Sequence, residues 1–405
     1  MLNSITDNKE SEGRMNNYKR ILSAALLAVL SGSVAAVPFS FEARSLGMGN
    51  ARVATADIAT APFANPAMLS FQPSREDFSL LLGVGAYLND NDDVIDRIDD
   101  YQTAYDNFQA DPVGNINEGF RAVDIAKSLE GDVIAPEATV MISTGFSGEK
   151  WAFAVSARAD AISAGTVTNI SQTVPELADP TKNILELEGV LTSELGVSLA
   201  RNFQILGQKV AIGITPKYVK VDNIHLSESI STIDTGFGDL LDNSRNDLGD
   251  FTTLDVGLVM GLTEHTQIGL VATNLVAHKI NFINAADNPA TLSFDTQARL
   301  GIAYRTDLLT LGADVDLIEN DALLTSQNFQ ALKTQNVSVG GEFNVLDFMQ
   351  LRVGAQKNIA DGISDAAKEN LYTAGVGFWF GFNLDVALVA QSNSLGAFLQ
   401  TGFRF

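Results

Sequence analysis

Beyond residue 73, apolar and polar residues alternate with a period of two. In LTLGADVDL (309–317), Leu309, Leu311, Ala313, Val315 and Leu317 share one face, and Thr310, Gly312, Asp314 and Asp316 share the other. NVSVGGEFNV (336–345), MQLRVGAQ (349–356) and NLDVALVA (383–390) repeat the pattern. Side chains alternate across a strand, so each segment has one apolar face and one small or polar face. Candidate strands fall at 78–88, 136–147, 150–163, 188–204, 208–222, 251–262, 266–275, 293–305, 308–318, 335–345, 348–358, 371–380, 382–391 and 396–405. Most exceed the about 5–6 residues usual in soluble domains and reach the about 9–11 that a tilted transmembrane strand needs. The polar face carries Arg299, Asp314, Asp316, Glu342 and Arg352 on successive strands, as a wet, lumen-facing barrel wall would.

The connections sort by length. Tight ones lie near 147–149, 205–207, 263–265, 306–307 and 346–347 and at Gly381; long ones span 89–135, 164–187, 223–250, 276–292, 319–334 and 359–370. A sandwich has no reason to alternate this way. A transmembrane barrel does, with tight periplasmic turns and long external loops. Only the short connection 392–395 departs from the order. About fourteen strands therefore predict an all-β fold, a transmembrane antiparallel β-barrel over 74–405. The last strand, FLQTGFRF, sets Phe403 and Phe405 on one face, which resembles the assembly signal of bacterial outer-membrane barrels.

Two stretches break the alternation. Residues 90–131 place Val94, Ile95, Ile98, Tyr101, Tyr105 and Phe108 at helical spacing among acids. That predicts two or three amphipathic helices inserted in the first external loop. A solvated helix face accounts for the acids more simply than a partner surface. Residues 41–69, FEARSLGMGNARVATADIATAPFANPAML, follow no period. Gly47 and Gly49 admit backbone conformations closed to other residues, and Pro62 and Pro66 should break any helix or strand that starts. Yet Leu46, Met48, Phe63, Met68, Leu69 and Phe71 are more apolar than a linker needs. The expectation is a plug over 37–73, packed in the barrel lumen.

Ahead of it, Lys19 and Arg20 precede an apolar run at 21–30 and the small residues SGSVAA. This order reads as a secretion signal cleaved near Ala36, with Met15 as the expected start, so 1–36 is an extension plus signal peptide. The run is too short to span a bilayer as a helix.

Composition narrows the chemistry. The 405 residues include no cysteine and only three histidines, His225, His265 and His278, at no ligand spacing. No metal site and no cofactor is expected. The net charge of −23 argues against nucleic acid. No nucleophile elbow, phosphate loop or HExxH occurs, and GMGNAR (47–52) follows no strand of a βαβ unit, so no enzyme is expected.

The element EARSLGMGNARVATADIATAPFANPAML (42–69) resembles the N-terminal plug of barrels related to the long-chain fatty-acid transporter. The matching residues are Ala43, Arg44, Ser45, Leu46, Gly47, Met48 and Gly49, then Asn65, Pro66 and Ala67. A closer resemblance, through VPFSFEARSLGMG (37–49), NPAML (65–69) and FSLLLGVGAYLNDNDDVIDRIDDYQTAYDNF (78–108), is to the conjugal-transfer TraF type of outer-membrane protein. The resemblance implies fourteen strands, a plug that gates at Arg44, Leu46, Gly47, Met48, Gly49, Asn65, Pro66 and Ala67, and passive passage of hydrophobic molecules such as fatty acids. It implies residence in the bacterial outer membrane, with membrane lipid, the barrel-assembly machinery and a hydrophobic ligand as partners. The alternative is a surface interaction or structural protein of plasmid transfer with a sealed lumen.

Overall fold

The computed structural model describes residues 42–71, 77–90, 93–233, 245–283, 289–320, 324–325, 333–346, 348–361, 370–391 and 394–404. Its strands are β1 (Phe78–Asn89), β2 (Ala135–Ser147), β3 (Trp151–Thr168), β4 (Ile184–Ile205), β5 (Gln208–Ser229), β6 (Arg245–Gly261), β7 (Thr266–Thr273), β8 (His278–Ile283), β9 (Pro289–Phe294), β10 (Gln297–Arg305), β11 (Leu309–Asp316), β12 (Leu324–Thr325), β13 (Asn336–Leu346), β14 (Met349–Asn358), β15 (Leu371–Trp379), β16 (Asn383–Gln391) and β17 (Ser394–Arg404). All but β8, β9 and β12 join in one closed antiparallel barrel of 14 strands. Successive barrel strands pair in chain order, and β1 closes the ring on β17 with Ser79 opposite Arg404.

The period-two pattern sets the two faces. On β4, Leu195, Val197 and Leu199 point outward and are exposed, while Gly196, Ser198 and Ala200, which alternate with them, are buried. On β11, Leu311 is outward, and Thr310, Asp314 and Asp316 are buried inside. Outward aromatic residues gather where the turns are short: Phe146, Trp151 and Phe153 flank one, Phe348 precedes β14, and Phe380 and Phe382 flank another. Phe403 lies beside Phe382 with ring centroids 6.3 Å apart. An apolar outer band edged by aromatic rings is the surface a lipid bilayer selects.

The wall is uneven. Strands β4 and β5 have 22 residues each, whereas β7 and β11 have 8. The excess length projects at the end with the long connections, and each face of the projection is covered. On its inner face a small sheet, β12-β9-β8, folds over Val190, Val219, Val221 and Phe251 with Leu292 and Phe294. Its hairpin corrects one expectation. The stretch 293–305 is not a single strand: Pro289–Phe294 turns away to pair with β8, and Gln297 starts the wall. On the other face a helical hairpin, Val94–Ala110 and Ile116–Ser128, buries Ile98, Tyr101, Ala122 and Val123 against Val167 and Leu185. The two helices match the apolar spacing read from the sequence. The signal segment and Phe405 lie outside the described residues.

Candidate functional site

Residues 42–71 run inside the barrel. Apart from Arg52 and Phe63, every one of them is buried. The segment is built from single turns: the helices Ala43–Gly47 and Ala61–Ala64 and the 3-10 turn Pro66–Ser70. The prolines do not act as breakers here, contrary to expectation. Pro62 and Pro66 sit in the first positions of their turns, where the missing N–H would be unpaired anyway. Glu42 caps the first helix by accepting from Ser45 N–H at 3.1 Å and from the Ser45 hydroxyl. Asn65 caps the last turn by accepting from Ala67 N–H at 3.1 Å, while its amide donates to Val53 O at 2.9 Å. Such local capping lets a chain without a period hold one shape.

Glycines in the wall give the segment its seat. Gly312, Gly340 and Gly354 lie side by side on β11, β13 and β14, on the inward face. A Cβ at Gly340 would stand 2.1 Å from Met48 O, and one at Gly354 2.1 Å from Gly49 N. Across the lumen a Cβ at Gly213 would reach within 2.3 Å of the Pro66 carbonyl carbon. Backbone therefore presses on backbone, which any side chain would prevent. Gly49 has a φ of +65°, and its own Cβ would meet Val339 O at 2.5 Å, so this position excludes larger residues twice over.

Charge fixes the register. Arg44 grips both carboxylate oxygens of Glu342 on β13 at 2.9 and 3.0 Å and donates to Thr55 O at 2.8 Å. Arg352 on β14 donates to the same Glu342 at 2.7 Å and to Asp385 on β16 at 2.6 Å. The four groups form an alternating, neutral, buried chain. Planar guanidinium groups suit such forked contacts. Asp314 accepts from the backbone N–H of Arg52 and Val53 at 2.7 and 2.9 Å. Asp57 accepts from Arg404 on β17 at 2.9 Å and from Thr60 N–H at 3.0 Å. Burial alone would raise the Asp57 carboxyl, but Arg404 and Arg44 outweigh it and hold it below its usual value. For Glu42 burial wins over the Ser45 hydrogen bonds, and its carboxyl is raised.

The family model described as "F plasmid transfer operon, TraF, protein" matches residues 62–316, more than half of the chain. The chain belongs to this TraF family. The match runs from the inner segment through the helical hairpin to the end of β11. No curated protein matches the chain. Among solved structures, the toluene transporter TbuX of Ralstonia pickettii is 14% identical and superposes over 90% of this chain and 98% of its own, with a TM-score of 0.51. The toluene transporter TodX of P. putida is 12% identical over 89% and 97%, with a TM-score of 0.53. At such identity the likeness shows the fold, and this TraF-family chain shares the barrel of those proteins.

The residues singled out in this TraF-family sequence fall together. Arg44, Leu46, Gly47, Met48, Gly49, Asn65, Pro66 and Ala67 lie in the inner segment, all buried. Glu342, Arg352 and Asp314 face it and bond to it or to its partners. Arg299 and Asp316 pair with each other at 2.6 Å on β10 and β11 and do not touch the segment through any hydrogen bond described. Phe403 is outward. Sequence reasoning missed Glu42, Asp57 and Arg404, the inward polar groups Thr373, Gln356 and Gln400, and the wall glycines. Thr373 accepts from Gly49 N–H at 2.9 Å, and Gln400 from Ala43 N–H at 3.1 Å. The available signal was glycine recurring on the polar parity of successive strands.

Proposed function

We propose that this chain resides in the bacterial outer membrane and passively passes hydrophobic small molecules, such as monoaromatic hydrocarbons or fatty acids, with residues 42–71 as a movable plug. The observation that carries this reading is the apolar inner face at the mouth. Val190, Val219, Val221 and Phe251 lie on the inner side of the wall and pack under Leu292 and Phe294, so the mouth is closed by apolar side chains, where a water-filled pore would be polar. The fold shared with two toluene transporters supports it. The aromatic outer band suits contact with membrane lipid. Phe403, with Phe405 after it, is proposed as the signal read by the barrel-assembly machinery. Leu46 and Met48 are proposed to give way when ligand passes, Gly47 and Gly49 to allow it, and Asn65, Pro66 and Ala67 to stay as the anchor. In proteoliposomes, labelled toluene or fatty acid should enter faster than into protein-free vesicles. Equal rates would refute transport.

A second reading, a sealed barrel serving plasmid transfer, has the family description behind it. Replacing residues 93–132 with a short linker should then abolish mating while the barrel still assembles; unchanged mating frequency would remove this reading.

A further inference from the structure

The helical hairpin does more than cover the wall. Between its first helix, the loop 169–183 and the projecting ends of β4 and β5 lies a cavity of about 660 Å³. That volume is within the range of small-ligand sites, about 300–1,000 Å³. None of its lining belongs to the inner segment or its seat.

One wall is aromatic. Tyr105 stacks on Tyr101 with centroids 5.8 Å apart and planes at 12°. The buried Tyr101 hydroxyl accepts from Asn183 Nδ2 at 3.0 Å, and Asn183 Oδ1 accepts from Ser171 N–H at 2.8 Å. The stacked pair is therefore anchored. The facing wall carries the hydroxyls of Ser229, Ser231 and Thr232 and the amide of Asn169. Ser229 and Ser231 share one hydrogen bond at 2.8 Å and Thr232 Oγ1 donates to Ser229 O at 3.4 Å, which leaves hydroxyl lone pairs to accept from a ligand.

The charged groups around the cavity are mostly engaged already. Asp179 accepts from Thr181 N–H at 2.9 Å and from its hydroxyl at 2.7 Å. Glu186 accepts from Ser227 Oγ at 2.8 Å and lies 3.5 Å from His225 Nε2. Lys182 stands 3.8 Å from Glu176. An anion would meet surplus acid here, a cation would meet Glu228 but find Asp179 and Glu186 already bonded, and a purely apolar molecule would use the tyrosine wall but gain nothing from the hydroxyl wall. A ligand with an apolar C–H face and a rim of neutral hydroxyls meets both walls on their own terms.

We propose that this cleft binds a neutral saccharide, its C–H face on Tyr105 and its hydroxyls on the Ser229–Thr232 side. The source is either the sugar of the membrane's own lipopolysaccharide or a glycan from outside. The test uses the full chain in a detergent without a sugar headgroup. Lactose, N,N′-diacetylchitobiose and deacylated lipopolysaccharide core oligosaccharide are titrated by calorimetry, with tetramethylammonium and toluene as controls. At least one saccharide should bind saturably at millimolar concentration. Tyr105→Ala should weaken it about tenfold or more, and Tyr105→Phe should stay within about threefold. Thr232→Trp, a change at an exposed rim position, should weaken it as well, which guards against Tyr105→Ala merely loosening the hairpin. Preference for the core oligosaccharide assigns the site to the membrane's own lipid, and preference for a disaccharide to foreign glycans. No saturable binding of any saccharide, binding of tetramethylammonium or toluene in its place, or saccharide binding indifferent to both Tyr105→Ala and Thr232→Trp would overturn the proposal.

Discussion

The inner segment and the helical hairpin are both excursions from the barrel wall, held by opposite means. The hairpin packs by apolar stripe: Ile98, Tyr101, Ala122, Val123, Ala126 and Leu129 form one buried cluster with the wall. The inner segment has an apolar share too, with Met48, Ile58, Met68 and Leu69 fully buried. Its register, however, comes from Arg44–Glu342, Asp314 and Asp57–Arg404, and from glycines that admit its backbone. Apolar packing is non-directional and tolerates substitution by volume. Buried ion pairs and backbone-on-backbone contacts have few alternative geometries, and losing one partner leaves the other stranded. If residues 42–71 move as proposed, a segment held that way should leave its seat as a unit. A segment held by an apolar stripe should tolerate substitutions that keep its volume.

The strongest way to break the contrast is steric. Gly340→Val together with Gly354→Val should drive residues 42–71 from their seat while the barrel closes as before. Protease added to the short-turn side should then cut within 42–71, and single-channel conductance should rise. A protected segment in the double variant would mean that the glycine seat is dispensable. Next comes charge. Glu342→Ala strands Arg44, leaves Arg352 with Asp385 alone, and should cost about 3–5 kcal/mol in denaturant unfolding. Arg44→Met in the same background should recover part of that loss.

On the other side, Leu129→Ala should cost the hairpin about 2–5 kcal/mol of local stability, seen as faster amide exchange over 94–128, with exchange in β13 and β14 unchanged. The smallest effect is one of pH. The Asp57 carboxyl is held below its unfolded value by Arg404 and Arg44 against the cost of burial. Its contribution is present above about pH 3.9 and is lost as pH falls through the lower folded value. Protection of residues 42–71 should therefore weaken below about pH 3.9, and Asp57→Asn should make that step smaller, the rest coming from Glu342 on Arg44.

The same contrast explains what the sequence revealed. The wall was legible because period two repeats strand after strand, and because tight and long connections alternate. The hairpin was legible because Val94, Ile98, Tyr101 and Tyr105 recur at helical spacing. The stretch 293–305 misled because alternation continues from β9 into β10, although the chain leaves the wall between Phe294 and Gln297. For the inner segment, its place in the lumen came from resemblance and apolar content. Its turns did not, because each is a single capped turn with no period to read. Its ion pairs were hidden because Arg44 and Glu342 lie 298 residues apart, and nothing local marks either as the other's partner.

The most direct test of the central claim locks the segment in place. The chain has no cysteine, so an introduced pair stands alone. Ser143 Oγ donates to Ala59 O at 2.5 Å, which puts β2 and the inner segment in contact there. With Ala59→Cys and Ser143→Cys joined as a disulfide, uptake of labelled toluene into proteoliposomes should fall to the protein-free rate and return on reduction. Uptake that runs equally fast with the disulfide closed would contradict a route opened by movement of residues 42–71.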